Sequence, residues 1–373
     1  METLIHNRPT YNKLEGDTKL FSELRNRVNA RVSIIKEDRD KIIRLKVFLL
    51  PILYFGSYFT GLFNGDKPWL YISCNIMMGI SLVLIYLNLI HEAAHNNIFK
   101  KNKKLNKVVM YMFDLIGANS YIFEKRHIIS HHAYPSVDGW DTDFEQSSAL
   151  KIYPHGEPAK GIQKYQHYFV FFLYPLFLFN WLFIRDFRDF FDKKRIISKV
   201  HVKKIPGIEY VKLFFFKIFY FFYQLFVPIF IVGIAWKLVV SAWIIQILSG
   251  SIFALFVLLP VHALQVNKFP TVDSNLNLPY SWVRHQFEVT NDLSGANKFS
   301  RYVLGNYNYH VAHHLFPSYS YEYYDEITDE IRKFAKEKNL SYKTFPIFTA
   351  LYKHYQLLKK NATSIGDVME KTM

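Results

Sequence analysis

Long apolar runs alternate with charged segments along this chain, and the runs are the right length to cross a bilayer. Leu45–Phe63 (LKVFLLPILYFGSYFTGLF) carries a single charge, Lys46, at its edge, and Trp69–Ile90 carries none. A spanning helix needs about 20 mostly apolar residues, so each run reads as one span. Only NGDKP separates them, with Gly65 and Pro68 as breakers, which predicts a tight turn and an antiparallel hairpin. A second hairpin fits Leu213–Leu264, interrupted only at Lys217 and Lys237. Its turn is expected near Trp236–Leu238, and Pro228 marks a place for a kink.

Two shorter runs read differently. Val108–Phe123 contains Asp114 and fits an amphipathic or interfacial helix. Tyr168–Ile184 has no charge but is broken by Pro175. Lys and Arg crowd residues 1–46, 100–107, 185–212 and 332–360, whereas each presumed outer turn has one Lys. The positive-inside rule places all those basic segments in the cytoplasm, which four crossings satisfy. Tyr168–Ile184 is then an interfacial or re-entrant element. The first 40 residues are polar and charged and do not form a signal peptide.

The expected fold is therefore an all-α integral membrane protein with four transmembrane helices in two hairpins and a cytoplasmic helical cap. Its divisions are a cytoplasmic segment 1–44, a hairpin 45–90, a cytoplasmic or interfacial segment 91–212, a hairpin 213–264 and a cytoplasmic segment 265–373. Composition agrees: of 373 residues half are hydrophobic and 18% aromatic, with a net charge of +15. The basic patch KKNKKLNK (100–107) reads as a membrane flank attracted to anionic lipid, not as a nucleic-acid site. A contribution to the phosphates of an acyl carrier such as CoA is the lesser reading. A single cysteine, Cys74, excludes a disulfide framework and a thiolate cluster.

Histidine changes the picture from architecture to chemistry. Eight of the fifteen fall in three groups: His91 and His95 (HEAAH), His127, His131 and His132 (HIISHH), and His310, His313 and His314 (HVAHH). At helical spacing His91 and His95 share a face, as do His127 and His131. Neutral imidazole is a good ligand for zinc, copper, iron or nickel. Eight histidines exceed what one ion uses, so two metals are the economical reading. With four crossings all three groups lie at one membrane face, where they can converge. HEAAH alone also fits a zinc metalloprotease with Glu92 as base, but that leaves six histidines without a purpose. A metal transporter would carry ionisable residues inside its spans, whereas these groups sit at span ends or in polar segments.

At these motifs the chain resembles the membrane fatty acid desaturases. DLIGANSYIFEKRHIISHHAYPSVDG, YQHYF, WLFIRDFRDF, RHQFEVTNDLS and GNYNYHVAHHLFP are similar to the bacterial acyl-lipid and linoleoyl-CoA branch, over roughly residues 20–360. The resemblance implies two irons held by the box histidines, with His262 (LLPVHALQ) and His285 (RHQFEVT) as candidates for further ligands. Asn306 and Asn308 beside the third box are then candidates to orient ligands from behind. His6, His155, His167, His201 and His354 lack such spacing and are not expected to ligate. Two departures from the branch pattern stand out: His310 stands where the branch more often has Gln, which weakens any transfer of regioselectivity, and Trp140 follows Gly139 where it often has His. The cluster Asp138, Asp141, Asp143 and Glu145 fits either a solvated acidic turn or a supporting role.

The implied reaction is oxygen-dependent desaturation of a fatty acyl group on CoA or in a membrane lipid, with O2 as co-substrate. An external electron donor, ferredoxin or cytochrome b5 in type, is expected because no His-Pro-Gly-Gly haem motif is present. The implied location is a bacterial inner membrane with the site facing the cytoplasm. A hydroxylase on the same ligand set is the alternative.

Overall fold

The computed structural model describes residues 8–14, 16–35, 39–200 and 204–363. Among these, the chain is mostly helical. The helices used below are α1 (Asp17–Ser33), α2 (Asp40–Phe63), α3 (Pro68–Ala94), α4 (Lys103–Leu115), α5 (120–131), α6 (Gly161–Ser198), α7 (Gly207–Ile231), α8 (Trp236–Val261), α9 (Trp282–Val289), α10 (His310–Leu315), α11 (Tyr324–Glu337) and α12 (Ile347–Thr363). Two short parallel ladders staple distant segments: β1 (Thr10–Tyr11) to β2 (Asn277–Leu278), and β3 (Asp292–Leu293) to β4 (Thr344–Phe345).

Five helices, α2, α3, α6, α7 and α8, are long and apolar enough to cross a membrane, one more than the four expected. The addition is α6, which contains the Tyr168–Ile184 run. Pro175 does not stop it, because a 3-10 turn at Tyr174–Leu176 absorbs the missing donor and the chain continues as helix. The first turn falls where NGDKP predicts it, with Asn64 N–H donating to Gly61 O and Lys67 N–H to Asn64 O. The second turn is a correction. It lies at residues 232–235, before Trp236, because Gly233 adopts φ +82 and ends α7 there. Val108–Phe123 also departs from one helix: Gly117 (φ +95) breaks it, and Asp114 Oδ1 accepts from Ser120 N–H at 3.0 Å to start the next.

α3 and α8 form the centre. A methyl on Gly79 would overlap the Gln246 carbonyl oxygen, and one on Gly250 would lie 2.8 Å from Gly79 O. Small residues let two apolar helices approach backbone to backbone, which is where dispersion contacts are densest in lipid. α2 packs on α3 by one side only and turns Phe48 (66% exposed) and Phe63 (80%) outward. Cys74 is buried, as its apolar surroundings predict.

Candidate metal centre

The first two histidine boxes sit beside or on irregular helix, and the third lies on regular α10. A π-turn, Tyr86–Ile90, immediately precedes His91, and a second, Lys125–His131, contains box two. The bond from His132 N–H to His127 O (2.9 Å) spans five residues in place of four. The wider turn rotates the side chains, so His127 and His131 do not serve one face together. Their rings stack 5.8 Å apart and point to different partners.

Two quartets result. His91, His95, His127 and His313 form one, and His131, His262, His310 and His314 the other, with the candidate ligand nitrogens of each quartet within 4.8 Å of one another. Facing Nε2 atoms lie 3.0 Å apart for His91 and His313, 3.1 Å for His95 and His127, and 2.6 Å for His262 and His310. Boxes two and three each contribute to both quartets, and no single box completes either one. His132 lies between them, its Nε2 3.2 Å from that of His127 and its ring 4.6 Å from those of both His95 and His314.

His262 thus joins the cluster, but His285 does not. His285 Nε2 bonds the Pro135 carbonyl at 2.8 Å, and its ring meets Tyr11 edge-on at 5.2 Å. It braces the loop after box two. Asn306 and Asn308 likewise make no described bond to a histidine. Asn306, at φ +49, donates to Tyr321 O (3.0 Å), and the Asn308 side chain has no hydrogen-bond partner among the described residues. Among the other histidines, His354 bonds Ala263 O at 2.7 Å and His155 lies 3.6 Å from Asp138. Neither these nor His167 belongs to a quartet; His6 and His201 lie outside the described residues.

Other residues do the orienting. Asp141 is fully buried, and His131 Nδ1–H donates to it at 3.1 Å while Ser136 and Asp143 N–H hold its oxygens. His313 Nδ1 faces Tyr324 Oη at 3.2 Å, and His91 Nδ1 faces Glu92 Oε1 at 3.5 Å. Such contacts fix the tautomer and aim Nε2 inward. Asp141 was legible only as one of four acids in a turn; Tyr324 had no signal, since it arrives from a separate helix. Glu92 is buried behind His91 and accepts from Asn97 (3.2 Å), an outer position unlike that of a protease base beside its metal.

Burial lowers the pKa of His95, His127, His132, His262, His310, His313 and His314 well below the ordinary histidine value, and neighbouring histidines add to it. These rings are held neutral and ready to donate lone pairs. For His131 burial acts the same way, but Asp141 and Asp143 outweigh it and raise the value to about 8.

A cavity of about 250 Å³ runs from His127, His131 and His262 past Phe177, Trp181 and Leu258. A narrower, apolar pocket shares Tyr86, Phe177, Trp181 and Leu258 with it and reaches Gly117, Tyr220 and Ile247. The histidine-lined end is polar and the remainder suits hydrocarbon.

Comparison with known proteins places the chain in a family. The fatty acid desaturase family model matches residues 66–346. An sn-1 linoleoyl-lipid 6-desaturase of Arthrospira platensis is 26% identical over 366 residues, 96% of each chain. The sn-1 linoleoyl-lipid 6-desaturase of Synechocystis sp. (strain ATCC 27184 / PCC 6803 / Kazusa) is 26% identical over 82% of this chain and 84% of its own. An acyl-lipid (8-3)-desaturase of Physcomitrium patens is 26% identical over 82% of this chain, which spans 64% of that relative's length. The chain belongs to the fatty acid desaturase family and is an oxidoreductase that desaturates fatty acyl chains.

Proposed function

We propose that the two quartets hold two irons, with His132 between them, and that the acyl chain lies in the adjoining cavity. The observation that carries this is the convergence of nine imidazoles, seven of them buried and His95 and His132 partly so, eight of which face one another through Nε2 atoms at 2.6–3.2 Å. Neutral rings so arranged present lone pairs to lone pairs, and a metal ion resolves that repulsion. An all-nitrogen set is compatible with iron as with zinc, copper or nickel, and the family favours iron. Bound iron would supply the oxidising power, with O2, to remove hydrogen from an unactivated methylene. The chain itself aims the ligands through Asp141, Tyr324 and Glu92, excludes water with Tyr86, Phe123 and Trp181, and positions the acyl group.

The same convergence supports four crossings. The rings of His131 and His262 are 4.7 Å apart, so an even number of helices crosses between them. Three candidates lie in that interval, and α6 returns to the side it leaves. Near its start Gln166 bonds Leu358 O on α12 (2.8 Å), and Tyr174 meets His354 there; further along, Leu178 N–H bonds Ser251 Oγ inside α8; then Asp186 pairs with Lys217, and Tyr210 near the start of α7 bonds Phe190 O. We therefore read α2–α3 and α7–α8 as the two hairpins, α6 as re-entrant, and the segments around 1–44, 91–212 and 265–373 as the cytoplasmic cap. The basic cytoplasmic segments suit an acidic external donor, ferredoxin or cytochrome b5 in type. A bacterial inner membrane and an acyl-lipid or acyl-CoA substrate complete the reading.

The test is expression in a host lacking the product, with mass spectrometry of total fatty acids and His313→Ala as control. A new unsaturated species, absent from the control, and two irons per purified chain are expected. Hydroxylated lipid would replace desaturation by the hydroxylase reading, and one zinc without iron would sink the di-iron centre.

A further inference from the structure

Four cations sit on α6 or bond its carboxylates, and three have partners. Arg126 donates to Asp189 at 2.9 Å and also to the Thr142 carbonyl. Arg195 bonds Asp189 at 2.9 Å and pairs with Glu145. Lys217 donates to Gly117 O at 2.6 Å and to Asp186 at 2.8 Å. Arg185 is the exception.

Its guanidinium lies over the Trp181 ring at 3.7 Å and near Phe177 at 5.8 Å, and it lines the cavity with the histidines. Among the described residues it makes no hydrogen bond or ion pair, and its Nε is buried without an acceptor. Of the nearby carboxylates, Asp186 pairs with Lys217 through Oδ2 and leaves its buried Oδ1 without a partner among the described residues, and Asp189 pairs with Arg126 and Arg195. Asp143, the remaining acid of the wall, stands 3.8 Å from both Arg126 and His131. An arginine has five N–H donors, and leaving them unmet beside apolar surface is costly. Stacking on Trp181 holds the guanidinium plane in place while leaving its edge open to an oxygen acceptor. Two rings link it to the metal site, with Trp181 6.2 Å from Tyr86 and Tyr86 6.3 Å from His91.

We propose that Arg185 anchors the carboxyl-end oxygen of the acyl substrate, the carbonyl of its ester or thioester, inside the cavity. This rests on the reading that the acyl chain occupies that cavity beside the irons. The fixed anchor then sets which methylenes reach the metal site, counted from the carboxyl end, while the apolar remainder takes hydrocarbon.

Binding tests this without turnover, because no electrons are supplied. The purified full-length chain is titrated in nanodiscs or detergent with three probes of equal acyl length: an acyl-CoA, an ester-linked phosphatidylcholine and its ether-linked analogue without the carbonyl. The wild type is expected to hold at least one carbonyl probe about tenfold or more tighter than the ether. Arg185→Gln should abolish that preference and Arg185→Lys should keep part of it. Whether thioester or ester shows the effect identifies the carrier. With reductant and iron, Arg185→Gln is expected to scatter double-bond positions. Equal affinity of the wild type for carbonyl and ether probes overturns the anchor, even where a variant fails to fold. So does an Arg185→Gln chain that keeps the preference. A wild type that shows the Arg185-dependent preference but forms no double bond with iron and reductant supports the anchor and overturns the di-iron reading.

Discussion

Asp141 touches no substrate, yet it holds His131 in one tautomer from a position with no solvent. Replacing it by Asn keeps the shape but loses the charge that favours an Nδ1–H donor. Loss of such an outer partner typically costs 10–100-fold in metal affinity or activity, so Asp141→Asn is expected to lose iron and activity by about that factor. Iron content per chain and product yield check it; unchanged iron would remove Asp141 from the site. His285 provides a second residue-scale expectation, now about stability. Burial pushes its pKa down to about 4, against 6.5 for the exposed ring, with the Pro135 bond acting the other way. The folded form stays neutral where the unfolded chain takes up a proton. The contribution is therefore complete above pH 6.5 and is lost as pH falls toward 4, by roughly 3 kcal/mol in all. In melting curves of the metal-free protein, His285→Asn should flatten the loss between pH 6.5 and 4.5; an unaltered slope would count against it. The candidate ligands were legible because eight histidines recur in three patterns. His285 was not separable from His262 by sequence, since both stand alone and only their neighbours differ.

At the level of elements, the close contact between α3 and α8 makes the clearest demand. The backbone oxygen of Gln246 occupies the space a side chain on Gly79 would need. Backbone cannot swing away as a flexible side chain can, so Gly79→Ala is expected to separate the helices and destabilise the protein by about 3 kcal/mol. A detergent melting midpoint unchanged within error would refute the contact. The hydropathy pattern located these helices well. It missed the second turn by a few residues, because the backbone reverses at Gly233, whose positive φ ends the helix, and not at the charge of Lys237. It also treated box two as ordinary helix, whereas box three is one. The π-turns were not legible, because a five-residue bond depends on packing around box two and leaves no periodic trace in seven residues.

For the molecule as a whole, the histidines and the crossings constrain each other. If α6 re-enters, cysteines introduced at Glu157 and Lys338 in a Cys74→Ala background react only with reagent that has crossed the membrane. A cysteine at Asp66 reacts from outside. Labelling of Glu157→Cys and Lys338→Cys from opposite sides would require α6 to cross and would break the four-span reading. The sequence by itself determined the family, the apolar helices and the residues able to bind metal, because bilayer thickness and imidazole chemistry leave marks in composition and spacing. Only the tertiary structure decided how the histidines divide into two quartets, that His262 joins and His285 does not, and that Asp141, Tyr324 and Arg185 stand around them. Those choices depend on distances between segments as far apart as 91 and 313, and such distances are set by packing, which no local pattern records.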